Sequence, residues 1–305
     1  MFHLWKLLRI DGRTYALQRI RRDGFCELLL PVWFKFRAKR KIVKKGLADM
    51  KNFKMTVSYD GTRYFGWEHQ PNTDMTIQGK LESVLTQLVE NTLGTRPDKT
   101  VTVIGAGRTD AGVHARAMTC NVLLPDALSE EEIQRYLNRY LPDDISVNEV
   151  RQAAERFHSR FKATGKTYRY TLWYSEDGSK PVFDRKYVWT LKDRPDVEKM
   201  REAAEHLVGE HDFKSFCGNS HMKKPTVRLV DTIRIETSGH YIRIYYHGTG
   251  FLQNMVRILT GTLLEAGYGR LTAEDMDRIL EAKDRKKAGP TAPAAGLCLM
   301  KVDFD

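Results

Sequence analysis

Across its 305 residues the chain has no apolar run approaching the roughly 18 residues that a membrane-spanning helix needs, so no membrane association is expected. Cysteine is scarce. The four residues, Cys26, Cys120, Cys217 and Cys298, are widely scattered without a CxxC pair, which argues against a zinc site and supplies no disulfide framework. No metal is expected, and a reducing, cytoplasmic setting fits. Also missing are a Walker-type lysine loop and any stretch resembling the aromatic RNP1 pattern of RNA-recognition motifs.

The net charge of +11 points toward nucleic acid, but it is unevenly spread. Residues 1–52 carry 14 Lys and Arg against 4 Asp and Glu, whereas the remainder carries 36 against 35. Within that remainder one local excess stands out. Arg151, Arg156, Arg160, Lys162, Lys166 and Arg169 crowd a stretch whose one acid is Glu155, and this cluster is the RNA-relevant signal.

The first fifty residues combine an apolar burst from Leu28 to Phe34 with a basic run from Arg37 to Lys45. Asp11, Asp23 and Glu27 interrupt any targeting-peptide pattern. A basic RNA-clamping arm and an organellar leader are both possible uses. The preferred reading is a segment of doubtful relevance upstream of a start at Met50, because a compact domain begins immediately after it. The expected division is an extension over 1–52, a half over 53–155 and a second half over 156–305.

From Phe53 to Tyr59 apolar and polar residues alternate as in a strand. Thr76 opens a helix with apolar positions Ile77, Leu81, Val84, Leu85 and Leu88, ending at Gly94. Strand-like runs follow at Thr100–Ile104 and Arg116–Leu124. Ser129 and Glu132 form a capping box that opens a helix through Leu141, and Ile145–Val150 closes the set. The same β-α-β-β-α-β order recurs as Thr167–Tyr174, Val197–Val208, Val230–Glu236, Tyr241–His247, Phe251–Ala266 and Leu297–Phe304, with a hairpin about Ser238-Gly239. A short helix is expected within Thr272–Ala282, followed by a Pro/Ala/Gly connection from Gly289 to Gly296. The fold class is therefore α+β, two ferredoxin-like halves with a shared, mostly antiparallel sheet and a cleft between them.

The richest local pattern is GAGRTDAGVHA, from Gly105 to Ala115, between two of the expected strands. Gly105, Gly107 and Gly112 permit backbone angles closed to other residues and leave room for a ligand to reach the main chain. Asp110 is the loop's acidic side chain, with Arg108 two residues before it and His114 four after. By itself an Asp-x-Gly more often builds an Asx turn. Further along, KTYRY places Lys166, Tyr168 and Tyr170 on one face of a strand. FLQNMVRILTG places Asn254 and Arg257 one helical turn apart.

Taken together, GAGRTDAGVHA, FKATGKTYRY, FLQNMVRILTG, APAAGLCLMKVDF and the earlier YDGTRYFGW with Gln70 resemble the blocks of the TruA family of tRNA pseudouridine synthases. The resemblance spans Lys54 to Phe304. It implies that Asp110 is the catalytic carboxylate and that Arg108 assists extrusion of the target nucleotide. Tyr168 would then stack on the flipped base, Arg257 would pair with Asp110 and keep it ionised, and Leu297 would wall the base pocket. The resemblance further implies a homodimer acting on uridines 38 to 40 of the tRNA anticodon stem-loop, with no cofactor. His114 reads as structural.

Three rivals compete with this reading. A related enzyme with other RNA targets would share the blocks. A noncatalytic RNA-binding protein would share the β-α-β-β-α-β order but has no need of Asp110 beside Arg108. A phosphotransferase using an aspartyl phosphate lacks its Walker-type lysine and any acidic metal cluster here.

Overall fold

The structure, a computed structural model, describes residues 5–10, 13–18, 50–95, 97, 100–219 and 221–305. The chain divides into two compact units, Met1–Leu47 and Ala48–Asp305. In the first, β1 (Trp5–Ile10) pairs antiparallel with β2 (Arg13–Gln18). The basic run from Arg37 to Lys45 lies outside the described residues.

The second unit is mixed α+β. Its elements run β3 (Met50–Tyr59), α1 (Ile77–Leu93), β4 (Val103–Gly105), β5 (His114–Pro125), α2 (Glu130–Tyr140) and β6 (Ile145–Gln152). There follow β7 (Ala163–Trp173), β8 (Trp189–Thr190), α3 (Val197–Glu205), β9 (Gly209–Asp212), β10 (Val227–Ser238), β11 (Tyr241–Gly248), α4 (Met255–Gly267), α5 (Asp275–Ala282) and β12 (Leu297–Phe304). Strands β3 to β12 form one ten-stranded sheet in the order β6-β3-β5-β12-β7-β11-β10-β9, with β4 added beside β5 and β8 beside β7. Among the described strands only β12 with β5 and β8 with β7 run parallel.

Period-two alternation sets the face each strand buries. Tyr59, Ala115, Leu299, Tyr168 and Tyr246 sit side by side across five neighbouring strands, and all five are buried. The apolar stripes of α1 and α4, Ile77, Leu81 and Leu85 on one and Ile258, Leu259 and Leu263 on the other, enter the same core. Burying each such side chain contributes about 1.5–3 kcal/mol. The expected caps are in place: Thr76 accepts from the Gly79 N–H, and Ser129 and Glu132 form the full capping box.

Several boundaries differ from expectation for local reasons. Asn254 takes a left-handed conformation, φ 58°, so α4 begins after it, and Gln253-Asn254 form a turn closed by the Met255 N–H on the Leu252 carbonyl. Gly209 at φ 125° marks the turn into β9, and α3 stops at Glu205. In the β10–β11 hairpin Ser238 pairs with Tyr241, which shifts the turn by one residue to Gly239-His240. The strands β8 and β9 are too short to carry an alternation.

One topological detail positions everything that follows. β5 is forked: its Cys120–Val122 segment pairs with β4, while His114 and Ala115 pair with Cys298 and Leu299 of β12. Because β5 and β12 run parallel at this seam, the loops leading into them arrive side by side. Those loops are 106–113 and 289–296.

Candidate active site

The glycines of the first loop serve different ends. Gly112 is the one with positive φ, 77°, as its turn requires. Gly105 has no such angle and is small for another reason. A Cβ there would meet the indole of buried Trp67 at 2.5 Å, so Gly105 lets that ring pack under the loop. Thr109 ties the loop down from the other side: its hydroxyl bonds the Tyr59 hydroxyl at 2.8 Å, and its carbonyl accepts from the Trp67 N–H. Asp110 thereby follows an anchored Thr109, and its own carbonyl accepts from the Val113 N–H in the turn that carries Gly112.

Asp110 projects into a cavity of about 640 Å³ whose lining includes Arg108, Tyr168, Phe251, Arg257 and Leu297. All five residues expected at the site therefore meet in one place. A second cavity of equal volume, lined by Asp60, Arg116 and Tyr241 among others, lies apart from Asp110.

Arg257 sits in the first turn of α4. Its Nε donates to the Ala292 carbonyl at 2.7 Å and its Nη1 to Asn254 Oδ1 at 3.0 Å, the i, i+3 relation expected from spacing. Nη1 also stands 3.7 Å from Asp110 Oδ2. Burial is the larger influence on Asp110 and raises its pKa above the usual carboxylate value, while Arg257 opposes it. The net direction is upward, so Arg257 limits the shift without cancelling it.

Tyr168 is buried, meets Phe251 edge to face at 5.2 Å between centroids and faces the cavity. Tyr170, two residues on, is fully buried and donates to the Pro293 carbonyl at 2.6 Å. The same-face pair thus divides into one ring at the cavity and one in the core. Leu297, 4% exposed, opens β12 as a wall of the cavity. Arg108 is exposed at the rim and pairs with Glu68 at 2.5 Å. His114 is buried, accepts from the Gly61 N–H and lies 3.2 Å from Asp60, facing away from Asp110.

Sequence reasoning missed the supports. The 289–296 connection was expected only as a linker, yet its Ala292 and Pro293 carbonyls hold Arg257 and Tyr170. Backbone acceptors leave no trace in residue type. Phe251 and Glu68 carried no signal of their own either.

A partly buried carboxylate stands beside a guanidinium, with an aromatic ring and an apolar wall facing the same space, an arrangement in which an acidic side chain can act on a bound molecule. The profile of the tRNA pseudouridine synthase family matches residues 55–162 and 203–305, and the chain belongs to that family. It is 43% identical over 255 residues to "tRNA pseudouridine synthase A 2" of Bacillus cereus (strain ATCC 10987 / NRS 248), covering 84% of this chain and all of that protein. Over equal coverage it is 44% identical to "tRNA pseudouridine synthase A" of Bacillus sp. (strain KSM-64) and 41% identical to "tRNA pseudouridine synthase A 2" of Clostridium perfringens (strain 13 / Type A).

Proposed function

We propose that this protein is a tRNA pseudouridine synthase, an isomerase that converts uridine to pseudouridine within tRNA, with uridines 38 to 40 of the anticodon stem-loop as its targets. The observation that carries the reading is the meeting of Asp110, Arg257, Tyr168, Arg108 and Leu297 around one cavity in a chain of this family. The reaction breaks the N1–C1′ bond, turns the base and forms C5–C1′. The proton displaced from C5 is balanced by one gained at N1, so no atom enters from outside.

Asp110 initiates this chemistry, either by adding to the sugar or base or by taking a sugar proton. The target must leave its stack to reach a side chain this deep. Tyr168 stacks on the extruded base and Leu297 walls it from the other side. Arg108, now held by Glu68, is free to exchange that exposed partner for the RNA.

The architecture is read as two ferredoxin-like halves, over 53–155 and 156–305. The orders β6-β3-β5-β4 and β12-β7-β11-β10 repeat one pattern, fourth-first-third-second, in support of this division. A homodimer in the cytoplasm follows from the family resemblance, and the free thiols Cys120, Cys217 and Cys298 suit a reducing compartment.

The test is to incubate the purified protein with an unmodified tRNA bearing uridines at 38 to 40 and map pseudouridine by sequencing. Pseudouridine at those positions is expected. Its absence there would refute the site assignment, and its absence throughout the tRNA would refute the activity.

A further inference from the structure

Lys166 stands one step along β7 from Tyr168, on the same face of the strand. It is half-buried, and among the described residues its ammonium has neither an ion-pair partner nor a hydrogen bond, only an opening to solvent. Its cross-strand neighbours, Gly248 on β11 and Val302 on β12, offer no charge. A partly desolvated ammonium with only water to satisfy it is open to an incoming anion.

Arg160 and Arg228 press the same ammonium from nearby, and burial together with these two cations lowers the Lys166 pKa. Arg228 lines the cavity that holds Asp110, its Nη1 turned back to the Pro225 and Val227 carbonyls. Arg160 is exposed and forms no ion pair among the described residues.

A Cβ on Gly107 would come within 2.9 Å of the Lys166 Nζ. The lysine tip therefore rests against bare backbone one residue before Arg108. Glycine at 107 keeps the ammonium in place and leaves the main chain open beside it.

We propose that Lys166, flanked by Arg160 and Arg228 and seated against Gly107, binds a backbone phosphate of the RNA next to the target uridine. This rests on the pseudouridine synthase reading and extends it from the base to the phosphodiester. About 7 Å along the strand separates Lys166 from Tyr168, a span that one nucleotide's sugar and phosphate can bridge. The phosphate takes the place of water on the ammonium, and its engagement holds the sugar while the base is turned. Lys166 is a positioning residue in this scheme, since it touches backbone and not the reacting atoms.

The experiment uses the full chain and a synthetic anticodon-arm RNA, unmodified or carrying a neutral methylphosphonate at one of the two linkages flanking the target uridine. For the wild-type protein, one of the two methylphosphonates is expected to weaken binding roughly tenfold, the effect of losing one charge-assisted contact. Lys166→Met should lose a similar factor on unmodified RNA and lose nothing more on the modified one. Its slope of log affinity against log salt should shrink by about 0.7, one single-stranded phosphate contact. Lys166→Arg should restore most of the affinity.

Should Lys166→Met fail to fold, Gly107→Ala, whose methyl displaces the ammonium, and the methylphosphonates on wild-type protein decide the matter. Wild-type affinity and salt slope in Lys166→Met would overturn the proposal, as would a loss of turnover with binding untouched. Pseudouridine formation by the wild type on the unmodified arm is scored separately, so failure of the enzymatic reading is distinguishable from failure of this one.

Discussion

The Arg257 guanidinium lies 3.7 Å from the Asp110 carboxylate, close enough to attract and too long for a strong hydrogen bond. Its firm bonds go instead to Ala292 and Asn254, so its charge stays in place without clamping the carboxylate. Asp110 is left with open lone pairs and a pKa above the usual value. The acid limb of kcat/KM should therefore have its midpoint above the ordinary carboxylate value of about 3.9. In Arg257→Met the opposing charge is gone and burial acts alone, so the limb should move to higher pH. Arg257→Lys should move it less. A limb unmoved in Arg257→Met would remove Arg257 as the group that tunes Asp110.

Asp110→Asn should abolish pseudouridine formation and leave tRNA affinity within a few-fold, because the charge acts in chemistry and not in phosphate contact. Stability should change in the opposite sense. A carboxyl whose folded pKa is raised carries no penalty while protonated, and its charge weakens the fold as pH rises through the interval between unfolded and folded values. The gain in melting temperature of Asp110→Asn over wild type should accordingly grow from acid toward neutral pH. Turnover close to wild type would end the catalytic assignment.

How much of this was legible in the sequence depended on whether a position was fixed by side chain or by backbone. Alternation and caps marked the strands and helices of the repeated order, because periodicity and the Thr76 and Ser129 caps are written in residue type. Asp110 was visible as an acid among glycines, and the family resemblance selected Tyr168 over Tyr170 and assigned Arg257 its partner. The fork in β5 was not visible, since two residue pairs between parallel strands leave no pattern. Nor was the net rise in the Asp110 pKa, in which burial outweighs the arginine.

Tyr168→Ala should strongly reduce single-turnover rates, beyond whatever stability its buried ring contributes, because that ring borders the cavity. Tyr170→Ala should chiefly lower stability. That ring is fully buried with its hydroxyl on Pro293, and removing a comparable aromatic costs about 3–5 kcal/mol. Thermal melts and single-turnover assays on both variants separate the roles. Near-normal rates in Tyr168→Ala would move base stacking to another residue.

Deleting residues 1–49 should leave tRNA affinity nearly unchanged, because the contacts are assigned to the cluster from Arg151 to Arg169 and the rim of the Asp110 cavity. Counterion release makes this measurable: each neutralised phosphate adds roughly −0.9 to the slope of log affinity against log salt on duplex DNA, and about −0.7 on single strands. The first 52 residues hold 14 of the 50 Lys and Arg with only 4 acids. If they gripped RNA, their loss would flatten the slope by several units. A salt titration of full-length and truncated protein against one tRNA should give parallel lines. A truncated protein with a shallow slope and weak binding would instead make the segment an RNA-binding arm, and would shift the electrostatic share of recognition away from the catalytic unit.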